Sequence, residues 1–225
     1  MSNSHNTKKT NILIRIYVVI FCIFNLTANA QENTDFKNLK LNNFSIYLIC
    51  RGTKAKSGFI AEKFNLQDKN ITHIGIGYIE NNSLKIFNVS DVKKENESSL
   101  VIDSLNSFIT KDTYYLSIWE YKNSYSDLQE LKRICIKYKT AKIEFDFSFN
   151  IEDDKKMYCS EFCSKVLMEV NQSKFKFDPN TVKLEPFYSK LLKKSTLTYY
   201  PVDFFETNQN FTKIYDTFFH IKPIN

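Results

Sequence analysis

The chain has 225 residues, with 31 Lys and Arg against 25 Asp and Glu, 43% hydrophobic and 15% aromatic, a length that suits one domain. Only 4 Gly and 4 Pro stand beside 20 Phe and 13 Tyr, which excludes collagen-like, linker-rich and globally disordered architectures. Residues 1–30 hold three cations and no acid, so the rest carries 28 cations against 25 acids, or +3, with lysines scattered among acids; that is no nucleic-acid-binding footprint.

Lys8, Lys9 and Arg15 lead into an apolar run at 16–26, which ends in Ala28-Asn29-Ala30. A basic start, a short apolar stretch and a small-x-small end predict a secretory signal peptide, residues 1–30, cleaved after Ala30. The run is eleven residues, or fifteen counted back to Ile12 with Arg15 inside, short of the roughly 20 that a membrane span needs. The expectation is an exported protein, periplasmic or extracellular, with no stable membrane span once the signal is removed. A lipid anchor at Cys22 is disfavoured by the bulky Ile20 and Phe21 before it. Residues 31–43 are polar and read as a loose leader, and 44–225 as a single domain.

Within that domain, residues 44–51 (FSIYLICR) are β-branched and aromatic and predict a strand, and 57–64 a short helix. Residues 72–79 and 84–90 predict two strands of a hairpin joined through Glu80-Asn81-Asn82-Ser83. Residues 93–99 are charged and turn-like, and 114–120 predict another strand. Ser126 with Gln129 resembles a capping box, opening a helix with Leu128, Leu131, Ile134, Cys135 and Tyr138 at helical spacing. A second helix begins at about Cys159, its stripe being Cys159, Phe162, Cys163, Val166, Leu167 and Val170. The tail carries a Pro-marked segment at 184–192, the stretch 199–205 and a strand-like run at 211–219. Antiparallel strand pairs with interspersed helices make an α+β fold.

Beyond residue 30 the chain has four Cys (Cys50, Cys135, Cys159, Cys163) and two His (His73, His220). Four Cys in an exported protein permit disulfides. Zinc is not supported, because Cys159-x3-Cys163 has no second pair of ligands beside it; neither metal nor organic cofactor is expected. Cys135 and Cys163 lie on apolar stripes and belong to the core. Cys159 opens its helix, where unsatisfied N–H groups and the positive dipole end favour a thiolate. His73 stands in a strand between Thr72 and Ile74, and its own face carries Gly75 and Gly77, which would leave open space beside the imidazole. A tight turn at Asn81-Asn82 makes paired residue numbers sum to 163, setting His73 opposite Ser90 with Asn88 diagonal on the same face. Asn88, or else Ser90, then orients the imidazole. His220 ranks well below His73 as a base.

Thr72-His73-Ile74-Gly75-Ile76 ahead of Tyr158-Cys159-Ser160-Glu161 resembles the permuted papain-like amidases of the NlpC superfamily, in particular the YiiX/YebB-like branch. Phe145-Asp146-Phe147 is similar to that family's aromatic–Asp–aromatic approach to the Cys, and Tyr199-Tyr200-Pro201-Val202-Asp203 to its closing segment, so the likeness covers about residues 44–220. The Gly-Asp pair that family members often carry before the first strand is replaced by Asn42-Asn43. The resemblance implies a permuted papain-like (NlpC-type) fold with Cys159 as nucleophile at a helix N-terminus, His73 as base and Asn88 as a neutral orienter. It also implies oxyanion and substrate contacts at the Cys159 N–H, Tyr158 and Ser160, the last with a structural share like Asp146. The implied reaction is hydrolysis of an amide or peptide bond through a thioacyl-enzyme, on a small peptide, cell-wall or acyl substrate. Two rivals stand beside it. One is a lipid acyl hydrolase or acyltransferase, for which Phe175, Phe177 and Phe187 would form an apolar rim. The other is a catalytically inactive binding module, in which His73 lies far from Cys159 or a disulfide captures it.

Overall fold

The protein is described from a computed structural model covering residues 39–54, 58–91, 98–122 and 125–219. The predicted signal peptide, most of the leader, the charged turn around 93–97 and His220 lie outside the described residues. The chain divides at Lys40, and Leu41–Asn225 forms one compact unit.

Six strands build its antiparallel sheet: β1 (Ser45–Thr53), β2 (His73–Glu80), β3 (Ser83–Val89), β4 (Leu100–Asp103), β5 (Thr113–Lys122) and β10 (Thr212–Phe218), in the order β10-β5-β1-β2-β3-β4. β1 is central, so residues on both of its faces are buried, which is why it reads as an unbroken apolar run instead of an alternating one. The β2–β3 hairpin turns at Asn81 and Asn82, both left-handed with φ of 51° and 58°. Asn tolerates that region, and two such residues form the turn whose twist matches the strands. Pairs such as Ile76↔Phe87 and Gly77↔Ile86 follow, the register expected from that turn.

The two longest helices pack on the sheet face that carries Ile74 and Ile76. α1 (Gly58–Phe64), α2 (Leu105–Phe108), α3 (Tyr125–Ala141), α4 (Cys159–Val170) and α5 (Pro186–Leu192) alternate with two small ladders, β6 (Glu144–Phe145) with β7 (Lys156–Met157), and β8 (Asn180–Lys183) with β9 (Thr196–Tyr199). α4 packs on β2, β3 and α3. Its stripe of Cys159, Phe162, Cys163, Val166, Leu167 and Val170 is buried with Ile74, Ile76 and Leu128 in the main core, each large apolar side chain there contributing about 1.5–3 kcal/mol.

Three sequence readings are corrected, and two elements were not foreseen. α3 starts at Tyr125, so Ser126 lies in the first turn of the helix and not ahead of it. β4 (LVID) and α2 (LNSF) are each only four residues long, too short to show a period in the sequence. Phe175 and Phe177 belong to the core, with Phe175 edge-on to Tyr121 and Phe177 edge-on to Phe204, and Phe187 is exposed; these three form no rim around Cys159. Gly75 and Gly77 leave no open space either: a Cβ on Gly75 would stand 2.5 Å from Ile86 Cγ2, and one on Gly77 2.4 Å from the Lys85 carbonyl oxygen. The glycines bring β2 and β3 into close approach. Among the described residues, no helix is long and apolar enough to cross a membrane.

Candidate active site

The start of α4 is built by its neighbours. β7 delivers the chain beside β6, where Asp146 N–H donates to the Met157 carbonyl at 3.0 Å. Tyr158 is extended (φ −105°, ψ 171°) and the helix begins at Cys159. Glu161 accepts from the Tyr158 N–H at 3.4 Å and pairs with Lys165 at 2.8 Å. Burial lifts the Glu161 carboxyl to about 7, with Lys165 pulling the other way. Asp146 is itself buried and accepts from the N–H and hydroxyl of Ser148 at 2.7 and 2.6 Å, holding the turn that feeds this strand.

Cys159 is a free thiol. Burial pushes it above the ordinary value, while the backbone N–H groups of Ile74, Ser160 and Cys159 itself, and the charge of Arg51, favour the thiolate. The Ile74 N–H places the sulfur at the start of β2, beside the backbone of His73.

His73 is the first residue of β2 and is partly buried. Its Nε2 lies 2.9 Å from Asn88 Oδ1, and its ring stacks obliquely on Phe108 at 5.5 Å. Ser90, the other candidate orienter, lines the cavity. Asn88 is buried on β3, and its Nδ2 donates to Asp103 Oδ2 at 2.8 Å. Desolvation, then the neighbouring Arg51 charge, depress His73 to about 3, against the bond to Asn88. The imidazole is therefore neutral at physiological pH. No hydrogen bond joins it to Cys159 directly; the two share a cavity.

That cavity, of about 120 Å³, opens where β1 ends and β2 begins. Its lining includes the polar Arg51, Thr72, His73, Ser90 and Asp91 and the apolar Ile60, Phe64, Phe145, Phe149, Leu197 and Val202, together with Tyr158, Cys159 and Ser160. Arg51 pairs directly across from His73 on β1. Its guanidinium lies over the Phe108 ring at 4.7 Å and donates from Nη1 to the Phe108 carbonyl, while Nε is buried without a partner.

The closing segment, residues 199–203, lines the cavity and is tied to the start of α4. Tyr158 hydroxyl accepts from the Tyr200 N–H at 2.8 Å and Ser160 hydroxyl donates to the Tyr200 carbonyl at 2.7 Å. Asp203 accepts from the N–H groups of Leu66, Gln67 and Asp68 at 2.9, 2.6 and 3.1 Å. Tyr158 and Ser160 thus tie the strap to the helix start as well as lining the cavity.

The structure brings together Cys159, His73, Tyr158 and Ser160 at the cavity and Asn88 behind the imidazole. Sequence reading missed Arg51 and Asp103. Arg51 left a faint signal, a cation closing an otherwise apolar strand. Asp103 left none, because its strand has no alternating pattern and its neighbour on β3 is set by pairing.

Comparison with known proteins bears on the fold. The solved structure of metalloprotein YiiX of Escherichia coli O157:H7, described under DUF1105, superposes with a TM-score of 0.59 at 14% identity, covering 79% of this chain and 99% of that one. No family model matches the chain, and no curated protein matches it in sequence. The chain has a YiiX-like fold. The YiiX structure is called a metalloprotein. Among the described residues, no three His, Cys, Asp or Glu side chains gather as ligands, and the cavity wall beside Cys159 and His73 carries the cation Arg51. The residues present do not fit a metal centre there.

Proposed function

We propose that the chain is an exported cysteine hydrolase of the permuted papain type, cleaving an amide or peptide bond, with cell-wall peptides as the substrate class. The observation that carries this reading is the cavity wall shared by Cys159, at the first residue of α4, and His73, whose ring is held by Asn88. A free thiol at a helix start, a neutral imidazole and a fixed orienter are the parts of a nucleophile–base–orienter site. Export rests on the character of residues 1–30.

In the proposed reaction, the His73 nitrogen not engaged by Asn88 takes the Cys159 proton as the substrate closes the gap between them; such bonds are often loose before substrate binds. The sulfur attacks the carbonyl carbon, and the oxygen becomes an oxyanion held by the Cys159 N–H, with the neighbouring N–H donors around Sγ. Such a donor contributes about 10²–10³ in rate. His73 returns the proton to the leaving amine, leaving a thioacyl-enzyme. It then takes a proton from water, whose hydroxide releases the acid and restores the thiol. Because burial raises Cys159 and lowers His73, the resting pair is thiol and imidazole, and general-base transfer accompanies attack.

One observation favours a second reading. The wall of Phe64, Phe145, Phe149 and Leu197 offers an apolar seat for an acyl chain, as a lipid acyl hydrolase or acyltransferase needs. The test is iodoacetamide labelling of the full chain and of Cys159→Ala and Cys163→Ala, followed by turnover on peptide amides and long-chain acyl esters. Labelling lost only in Cys159→Ala, with peptide turnover, is expected. Labelling that persists in Cys159→Ala and vanishes in Cys163→Ala refutes the nucleophile; turnover confined to acyl esters selects the second reading.

A further inference from the structure

We infer that Asp103 is a positioning residue that sets which nitrogen of His73 carries hydrogen, acting through the amide of Asn88. The inference rests on the proposed reaction for its catalytic consequence, not for its structural one. Asn88 stands between two groups on the sheet: Asp103 Oδ2 at 2.8 Å from its Nδ2, and His73 Nε2 at 2.9 Å from its Oδ1. The sheet brings them into line, since Asp103 on β4 pairs with Ile86 on β3, two residues from Asn88 and on the same face.

An Asn amide has one accepting end and one donating end. A carboxylate oxygen only accepts, so Asp103 claims the NH₂ and turns Oδ1 towards the imidazole. Oδ1 cannot donate, so Nε2 must carry the hydrogen. In a neutral imidazole the remaining nitrogen, Nδ1, is then bare and able to accept the thiol proton. Without Asp103 the amide is free to rotate by half a turn. Its NH₂ would then face Nε2, the hydrogen would move to Nδ1, and the ring would have no lone pair for Cys159. The acidic partner missing beside His73 is thus present one residue further out, where it fixes the tautomer without lying next to the imidazole.

The test combines ¹⁵N NMR of the histidine rings in the full chain, assigned with His73→Gln, with turnover. Wild type is expected to show His73 protonated at Nε2. Asp103→Asn, nearly isosteric, is expected to shift a measurable population to Nδ1–H and to lower turnover at least about tenfold, since a wrong tautomer costs up to about 10⁴ in triad enzymes. In an Asn88→Ala background, Asp103→Asn should change neither quantity, as expected of a residue that acts only through Asn88. Asp103→Ser, too short to reach the amide, serves in place of Asp103→Asn should that variant not fold. A wild-type ring already protonated at Nδ1, an unchanged tautomer in the Asp103 variant, or an equal loss in both backgrounds overturns the inference. A chain inactive on every substrate sinks the proposed reaction, and the tautomer measurement still decides the role of Asp103.

Discussion

Adding one methyl group at Gly75 tests whether close strand approach builds the site. In Gly75→Ala the new Cβ would lie 2.5 Å from Ile86 Cγ2, 3.1 Å from Asn88 Cβ and 3.1 Å from the Phe87 carbonyl oxygen. Carbon atoms prefer about 3.5–4.0 Å, so the first contact is about 1 Å too short. Ile86 is fully buried and β-branched, with few rotamers to escape into. Overpacking of this kind costs about 1–3 kcal/mol, and Ala in place of Gly returns about 0.5–1 kcal/mol of backbone entropy. The net loss is about 0–2.5 kcal/mol, or a fall in Tm of up to about 10 °C for a domain of this size. The same displacement pushes Asn88 off His73, so turnover should fall about tenfold even at temperatures where the variant is fully folded. Gly77→Ala is the control: its Cβ meets the Lys85 carbonyl at 2.4 Å, which costs stability at a point away from Asn88. Melting curves and turnover measured together decide the matter. A Gly75→Ala protein with wild-type Tm and wild-type turnover refutes the reasoning.

Three further outcomes follow from the geometry. Because burial raises the Cys159 thiol, its alkylation rate should climb continuously from pH 6 past pH 9; a plateau below pH 7 would mean a resting thiolate–imidazolium pair. Arg51 favours the thiolate, so Arg51→Met should slow alkylation at pH 7.5 by about three- to tenfold, read by mass spectrometry against wild type, and an unchanged rate would remove Arg51 from the site's electrostatics. Asp203→Ala unpins the closing segment from residues 66–68 and should cost about 2 kcal/mol, the scale of hydrogen bonds to a charged acceptor, seen as a lower urea midpoint; no change would mean that the strap is held elsewhere.

Much of the site was legible before any coordinates. The periodicity of residues 159–170 marks a helix, and a cysteine at its first position is a local fact. Asn81 and Asn82 specify the hairpin turn, and once the turn is known the register is arithmetic, which is how Asn88 emerges as the neighbour of His73. The same reading erred on Gly75 and Gly77, because absence of a side chain says nothing about what fills the space. The rim that the rival acyl reading would draw from Phe175, Phe177 and Phe187 does not form, because the fold buries the first two beside Tyr121 and Phe204.

What the amino-acid order determined alone is whatever repeats over a few residues: strand alternation, helical stripe, turn chemistry and the helix-start thiol. Tertiary structure decided which distant groups meet: Arg51 across from His73, Asp103 behind Asn88, and Asp203 on the loop at 66–68. Such contacts depend on long-range strand pairing and on single polar atoms finding partners, and a lone Asp or Arg leaves no periodic trace in the chain. Burial then sets the chemistry, lowering His73 and raising Cys159, because desolvation is a property of the surrounding fold and not of the residue.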